Sequence, residues 1–134
     1  MPFAEWMPRL AVGVPAMDDQ HQGLFRTINR MWDAYQNEDE QELKRVLEEL
    51  TDYAEYHFLA EEALMAQTCY PETDAHRARH MEFRARMRGL EWRREVAPHS
   101  VGLELLEYLR DWLVQHIGHE DRKLGAFLVS QGVR

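Results

Sequence analysis

Between residues 57 and 80 the chain carries two pairs of metal-capable side chains at one spacing, His57 with Glu61 and His76 with His80. Residues four apart share one face of an α-helix, one turn above the other. The segment HFLAE therefore presents an imidazole beside a carboxylate, and HRARH presents two imidazoles. Tyr70 and Pro71 interrupt the helical pattern between the pairs, so the two faces belong to different helices that can turn toward each other. His21 and His116 fall at core positions of two further helices. One inward histidine is ordinarily a hydrogen-bonded core residue. Five converging from four helices are not, because a bundle core cannot cheaply bury five unrelated imidazoles.

Glu61 and Asp121 join the five histidines. Asp121 lies five residues after His116, and five residues turn an ideal helix by about 500°, leaving the two about 140° apart. For both to reach one site, the last long helix must end or loosen near Gly118. Five nitrogens and two carboxylates are too many donors for one tetrahedral zinc. They suit two ions, with each carboxylate lending one oxygen to each and a solvent-derived oxygen bridging them. Three histidines then complete one ion, while the other has two histidines and keeps a position open. Mixed imidazole and carboxylate donors suit iron without excluding manganese, cobalt or zinc.

The elements that must position these groups are legible from period. Residues 1–16 contain Pro2, Pro8 and Pro15 and no helical period, which predicts an extended arm reaching to about residue 17, packed down by Phe3 and Trp6. The first helix starts near Asp18 or Asp19, either of which can cap it, and carries Met17, His21, Leu24, Phe25, Ile28 and Met31 inward. Asn37 with Glu40 resembles a capping box for the second helix. Its stripe runs from Leu43 through Leu50, His57, Phe58 and Glu61 to Met65. A third helix follows Pro71 with His76, His80, Phe83, Met87 and Leu90 inward, and Arg77, Arg79, Arg84, Arg86 and Arg88 on a solvated face. Pro98 closes the next connection and Ser100 is a plausible cap for a fourth helix carrying Leu105, Leu106, Leu109, Trp112, Leu113 and His116. Leu124, Phe127 and Leu128 predict a short C-terminal helix after Gly118. The fold class is all-α, an up-down-up-down four-helix bundle with an N-terminal arm, formed by residues 1–134 as one domain.

Composition excludes several functions. A net charge of −8 argues against nucleic-acid binding. No apolar run is long enough to cross a bilayer and no signal peptide is recognisable, so no membrane insertion is expected. Cys69, alone, cannot form an internal disulfide, which fits a reducing compartment; with no export signal, a cytoplasmic protein is the expectation. We read Cys69 as a small apolar filler near the helix turn.

The pattern resembles the hemerythrins, specifically the single-domain bacterial type. The resemblance covers nearly the whole chain and rests on DDQH at 18–21, HFLAEE at 57–62, Met65 with Tyr70-Pro71, HRARH at 76–80 and WLVQHIGHED at 112–121. It implies seven ligands to two iron ions under an oxo or hydroxo bridge. The three-histidine iron would take His76, His80 and His116, the open iron His21 and His57, and Glu61 and Asp121 would bridge. It further implies reversible binding of dioxygen at the open position, for transport, storage or delivery, rather than enzyme turnover. Such a site requires a pocket that is apolar and lacks competing proton donors. Leu24, Phe58, Trp112, Leu113 and Ile117 lie one turn or less from ligands and fit that lining, as they also fit plain core packing.

An oxygen or redox sensor acting through a partner, or a di-iron oxidase or peroxidase, are the alternative functions. Ferritin-like di-iron oxidases use Glu-x-x-His pairs, and no histidine here has a glutamate three residues before it. Sensors of the family are often fused to a signalling domain, so a sensing role would need a separate partner; an oxygen-receiving protein is the other possible one. His99, beside Pro98, is expected to be exposed. His119 is expected to be a bystander, with hydrogen bonding to a ligand as the alternative, and Glu62 to be solvated.

Overall fold

The computed structural model describes residues 2–96 and 102–133, with side chains described through Glu91 and again from Gly102. Four long helices form α1 (Pro15–Gln36), α2 (Glu40–Thr68), α3 (Thr73–Val96) and α4 (Gly102–His116), and a nine-residue extension forms α5 (Arg122–Ser130). Each long helix packs on two others: α1 on α2 and α4, and α3 on α2 and α4. That closed ring, with short connections, is the four-helix bundle expected. No strand occurs among the described residues, and no described helix is long and apolar enough to cross a membrane.

The inward stripes behave as their period requires. Met17, Leu24, Ile28 and Met31 of α1 are buried against Val46, Leu50, Phe58 and Met65 of α2 and Leu105, Leu106 and Leu109 of α4. Burying each such side chain contributes about 1.5–3 kcal/mol. Gly23 lets α1 approach α2, since a Cβ there would meet the Tyr53 hydroxyl at 2.5 Å.

The ends of the helices differ in detail from expectation. α1 begins at Pro15, whose fixed φ suits a first helical position, and no side chain caps it. Asp18 instead accepts a hydrogen bond from the Val12 N–H at 2.8 Å, tying down the arm. For α2 the cap is Asp39, not Asn37; its carboxylate accepts from the Glu42 N–H at 3.0 Å. An N-cap of this kind is worth about 1 kcal/mol. α2 stops at Cys69, which adopts a left-handed φ of 55° and is exposed, so it is no apolar filler. The Tyr70 N–H then closes back on the Met65 carbonyl at 3.0 Å. The expectations for Pro98, His99 and Ser100 lie outside the described residues.

The arm is irregular, with one 3-10 turn at Pro8–Leu10, and it is firmly docked. Ala4 exchanges two hydrogen bonds with the Asn29 amide, at 2.7 and 2.8 Å. Phe3 stacks on Trp32 at 4.5 Å, and Trp6 meets Phe25 edge-on at 5.7 Å. At the other end, Arg122 donates to the Arg9 carbonyl, and only a glycine at 125 lets the Val12 carbonyl approach α5 so closely.

The expected break near Gly118 takes another form. The chain stays helical from α4 into α5, but Ile117–Asp121 is a π-helical turn. Its hydrogen bonds run from residue i to i+5, so it absorbs one extra residue within a single turn. His116 and Asp121, five apart, thereby come onto one face without any interruption of the helix.

Candidate metal centre

All seven residues singled out by spacing meet in the middle of the bundle. His21 comes from α1, His57 and Glu61 from α2, His76 and His80 from α3, His116 from α4 and Asp121 from the π turn. Each is at most 3% exposed. They sort into two overlapping groups whose potential ligand atoms lie within 4.8 Å of one another: Glu61, His76, His80, His116 and Asp121, and His21, His57, Glu61 and Asp121.

The two carboxylates divide their oxygens between those groups. Glu61 Oε2 lies 2.7 Å from His57 Nε2 and 3.4 Å from His21 Nε2. Its Oε1 lies 2.9 Å from His76 Nε2 and 3.1 Å from His80 Nε2. Asp121 repeats the division, with Oδ2 2.9 Å from His21 Nε2 and Oδ1 3.1 Å from both His76 Nε2 and His116 Nε2. The three imidazoles of the larger group are neighbours at 4.7, 4.9 and 5.1 Å between ring centres, with planes 65–89° apart. Such an array can offer three nitrogens to one face of an octahedral ion.

Proximity here is not hydrogen bonding throughout. Both oxygens of Asp121 and the Nε2 of His116 are buried without a hydrogen-bond partner. Buried polar atoms are rarely left so, and a set of them converging on one point calls for a cation. The charge balance agrees. Burial would lower the His21 pKa, yet Asp121 and Glu61 push it up to about 9. The same opposition, with the same carboxylates, takes His76 to about 9, and Asp121 and Glu120 take His116 to about 10. Burial would raise Glu61, but His57, His21 and His76 hold it well below the ordinary carboxylate range. Burial and Glu61 would raise Asp121, and His116 and His21 hold it far below. Without metal, protons supply the positive charge that the two carboxylates demand. The donor set fits two cations: imidazole nitrogens on the outside and two carboxylates shared between the positions.

Around the seven, four of the five lining residues expected from spacing are buried: Leu24, Phe58, Leu113 and Ile117. Trp112 is half-buried and stacks on His116 at 4.5 Å, and Phe58 stacks on His80 at 4.0 Å. Both aromatic rings thus cover imidazoles of the three-histidine group. On the other side, the ring of Trp6, expected only to pin the arm, lies 6.4 Å from that of His21. His119 is exposed and lines a surface depression of about 560 Å³ with Arg79, Gln115 and Glu120; it is Glu120, at 3.5 Å, that faces His116 Nδ1.

Glu62 corrects the expectation of a solvated side chain. It is 16% exposed, and its Oε2 lies 2.8 Å from His80 Nδ1. A helical wheel turns Glu62 about 100° away from Glu61, but a glutamate is long enough to bend back to α3. Arg84 is likewise only 18% exposed, held between Glu55 and Glu62, while Arg77, Arg79, Arg86 and Arg88 are exposed as expected.

Known proteins are similar to this chain in sequence and in fold. The family model described as Hemerythrin HHE cation binding domain matches residues 12–128. A bacteriohemerythrin of Pseudomonas aeruginosa is 37% identical over 117 residues, covering 87% of this chain and 75% of that protein. A bacteriohemerythrin of Methylococcus capsulatus is 31% identical over 111 residues, covering 83% of this chain and 85% of that one. The crystal structure of a wild-type hemerythrin superposes with a TM-score of 0.87 at 28% identity, covering 94% of this chain and 98% of the other.

Proposed function

This chain belongs to the hemerythrin family, and we propose that its buried centre holds two iron ions and binds dioxygen reversibly. The observation that carries this reading is the division of the carboxylate oxygens, one of each pair toward His21 or His57 and the other toward the three-histidine group. His76, His80 and His116 would complete one ion, and His21 and His57 would leave one position open on the other. When bound, the ions would supply one electron each and a single site for a small ligand.

The rest of the work falls to the chain's own side chains. Glu61 and Asp121 hold the two positions together at a fixed separation. Leu24, Leu113 and Ile117 are buried apolar walls that offer no proton and exclude water. Phe58 and Trp112 lock the imidazoles of His80 and His116 by stacking. A carrier or store needs this rigidity, because release of unchanged dioxygen must outrun its reduction. Cytoplasmic residence and an oxygen-receiving protein partner belong to the same reading, the first supported by the lone Cys69.

Two measurements test it. Metal analysis of natively expressed protein should give two irons per chain; one tightly held zinc and no iron would sink the di-iron assignment. Anaerobic reduction followed by exposure to air should produce a visible charge-transfer band that vanishes on removing oxygen and returns on readmission. A band that never reverses would favour an oxidase.

A further inference from the structure

The ligand imidazoles differ in what their outer nitrogens face. His57 Nδ1 lies 2.6 Å from Gln20 Oε1, a neutral amide. His80 Nδ1 lies 2.8 Å from Glu62 Oε2, a carboxylate. His116 Nδ1 faces a second carboxylate, Glu120, at 3.5 Å. Both carboxylates stand on the three-histidine side, and the amide stands on the open side.

Glu62 is held in place rather than dangling. Arg84 Nη2 approaches its Oε2 at 3.4 Å and Arg77 Nε its Oε1 at 3.5 Å. Arg84 is itself fixed by Glu55, to which it donates at 2.8 and 3.1 Å. Its guanidinium lies 5.3 Å over the Phe58 ring, and Phe58 stacks on His80 at 4.0 Å with planes only 15° apart. His80 is therefore gripped at its edge by a carboxylate and on its face by a ring that a cation backs. With Nε2 given to a metal ion in the loaded centre, the ring would carry its proton on Nδ1 and donate it to Glu62 Oε2. A surface glutamate serving only to pair with arginines would not need to be 16% exposed and aimed at a ligand.

Resting on the two-iron reading, we propose that Glu62 is a positioning residue for His80, and that Glu62 and Gln20 together make the two metal positions electronically unequal. A carboxylate partner raises the donor strength of an imidazole. A stronger donor favours the more highly charged state of its ion, so the three-histidine position is the more easily oxidised. The amide of Gln20 orients His57 without adding that charge.

The test uses the iron-loaded protein and two isosteric exchanges, Glu62→Gln and Gln20→Glu. Each is checked for iron content and melting temperature and then titrated with an electrode and mediators. Glu62→Gln should raise the midpoint potential of the first oxidation and weaken metal retention against a chelator by about 10- to 100-fold. Gln20→Glu should lower a midpoint potential, and it decides the matter alone where Glu62→Gln does not fold. In cobalt(II)-loaded protein the exchangeable Nδ1 proton resonance of His80 should move in Glu62→Gln and stay in Gln20→Glu. Unchanged potentials with two irons bound overturn the proposal and leave the di-iron reading standing. A wild-type chain that takes up fewer than two irons overturns both.

Discussion

Leu113 sits three residues before His116 on the same helix and is 3% exposed. It contributes a wall with no proton to give. Asparagine there would place a hydrogen-bond donor, and with it water, beside bound dioxygen, favouring its loss in reduced form. In Leu113→Asn the iron content should hold while autoxidation speeds up at least tenfold, whereas Leu113→Ile should stay near wild type. Equal lifetimes in all three, at full iron loading and one oxygen pressure, would show that this residue does not guard the site. His119→Ala should leave metal content and the oxygenated spectrum unchanged, because His119 is exposed and Glu120 occupies the place beside His116; loss of the spectrum would contradict that geometry. The seven central residues were readable because spacing of four on a helix forces two side chains to one face. Glu62 was not, since a wheel locates a Cβ and says nothing of where a long flexible chain bends to find a partner on the next helix.

At the scale of elements, the π turn decides whether Asp121 reaches the centre. Sequence spacing of five demanded a change in the helix but could not choose between a break and an extra residue absorbed in one turn. That choice depends on α5, whose Leu124 and Leu128 are buried and hold the continuing helix in register. Deleting Gly118 should convert the π turn to a regular α turn. His116 and Asp121 would then be four apart and about 40° out of alignment, so iron binding and the fold should survive, with a small loss in melting temperature. An alanine inserted after Gly118 should do the reverse, swinging Asp121 about 100° out of the centre. Removing one partner from such a buried charged cluster costs about 3–5 kcal/mol. Iron stoichiometry of the two variants checks this; equal loss in both would mean that the turn is needed for its own sake. The same limit of sequence reasoning explains the cap at α2. Asn37 and Asp39 are equally good formers, and the chain path alone put Asp39 within 3.0 Å of the Glu42 N–H.

For the molecule as a whole, the centre couples stability to pH and to metal. In protein stripped by a chelator, the folded-state pKa values of His21 and His76 are raised to about 9 and that of His116 to about 10, from 6.5. A raised histidine contributes stability that is complete below the unfolded value and disappears as pH climbs through the folded one. Asp121 and Glu61 are depressed from 3.8 and 4.5, so their contribution is present above those values and is lost as acid protonates them. Metal-free protein should therefore melt highest between about pH 4.5 and 6.5 and fall steadily through pH 9 and 10. In loaded protein the ions replace the protons, which removes the alkaline loss but keeps the acid one, because protons compete for the same nitrogens and oxygens. Binding adds about 2.7 kcal/mol at a hundredfold excess of free metal over Kd. Melting temperatures measured from pH 4.5 to 10, with and without chelator, should thus form two curves that draw apart as pH rises. Curves that stay parallel would mean that these imidazoles neither hold the protons in the empty centre nor give them up to metal.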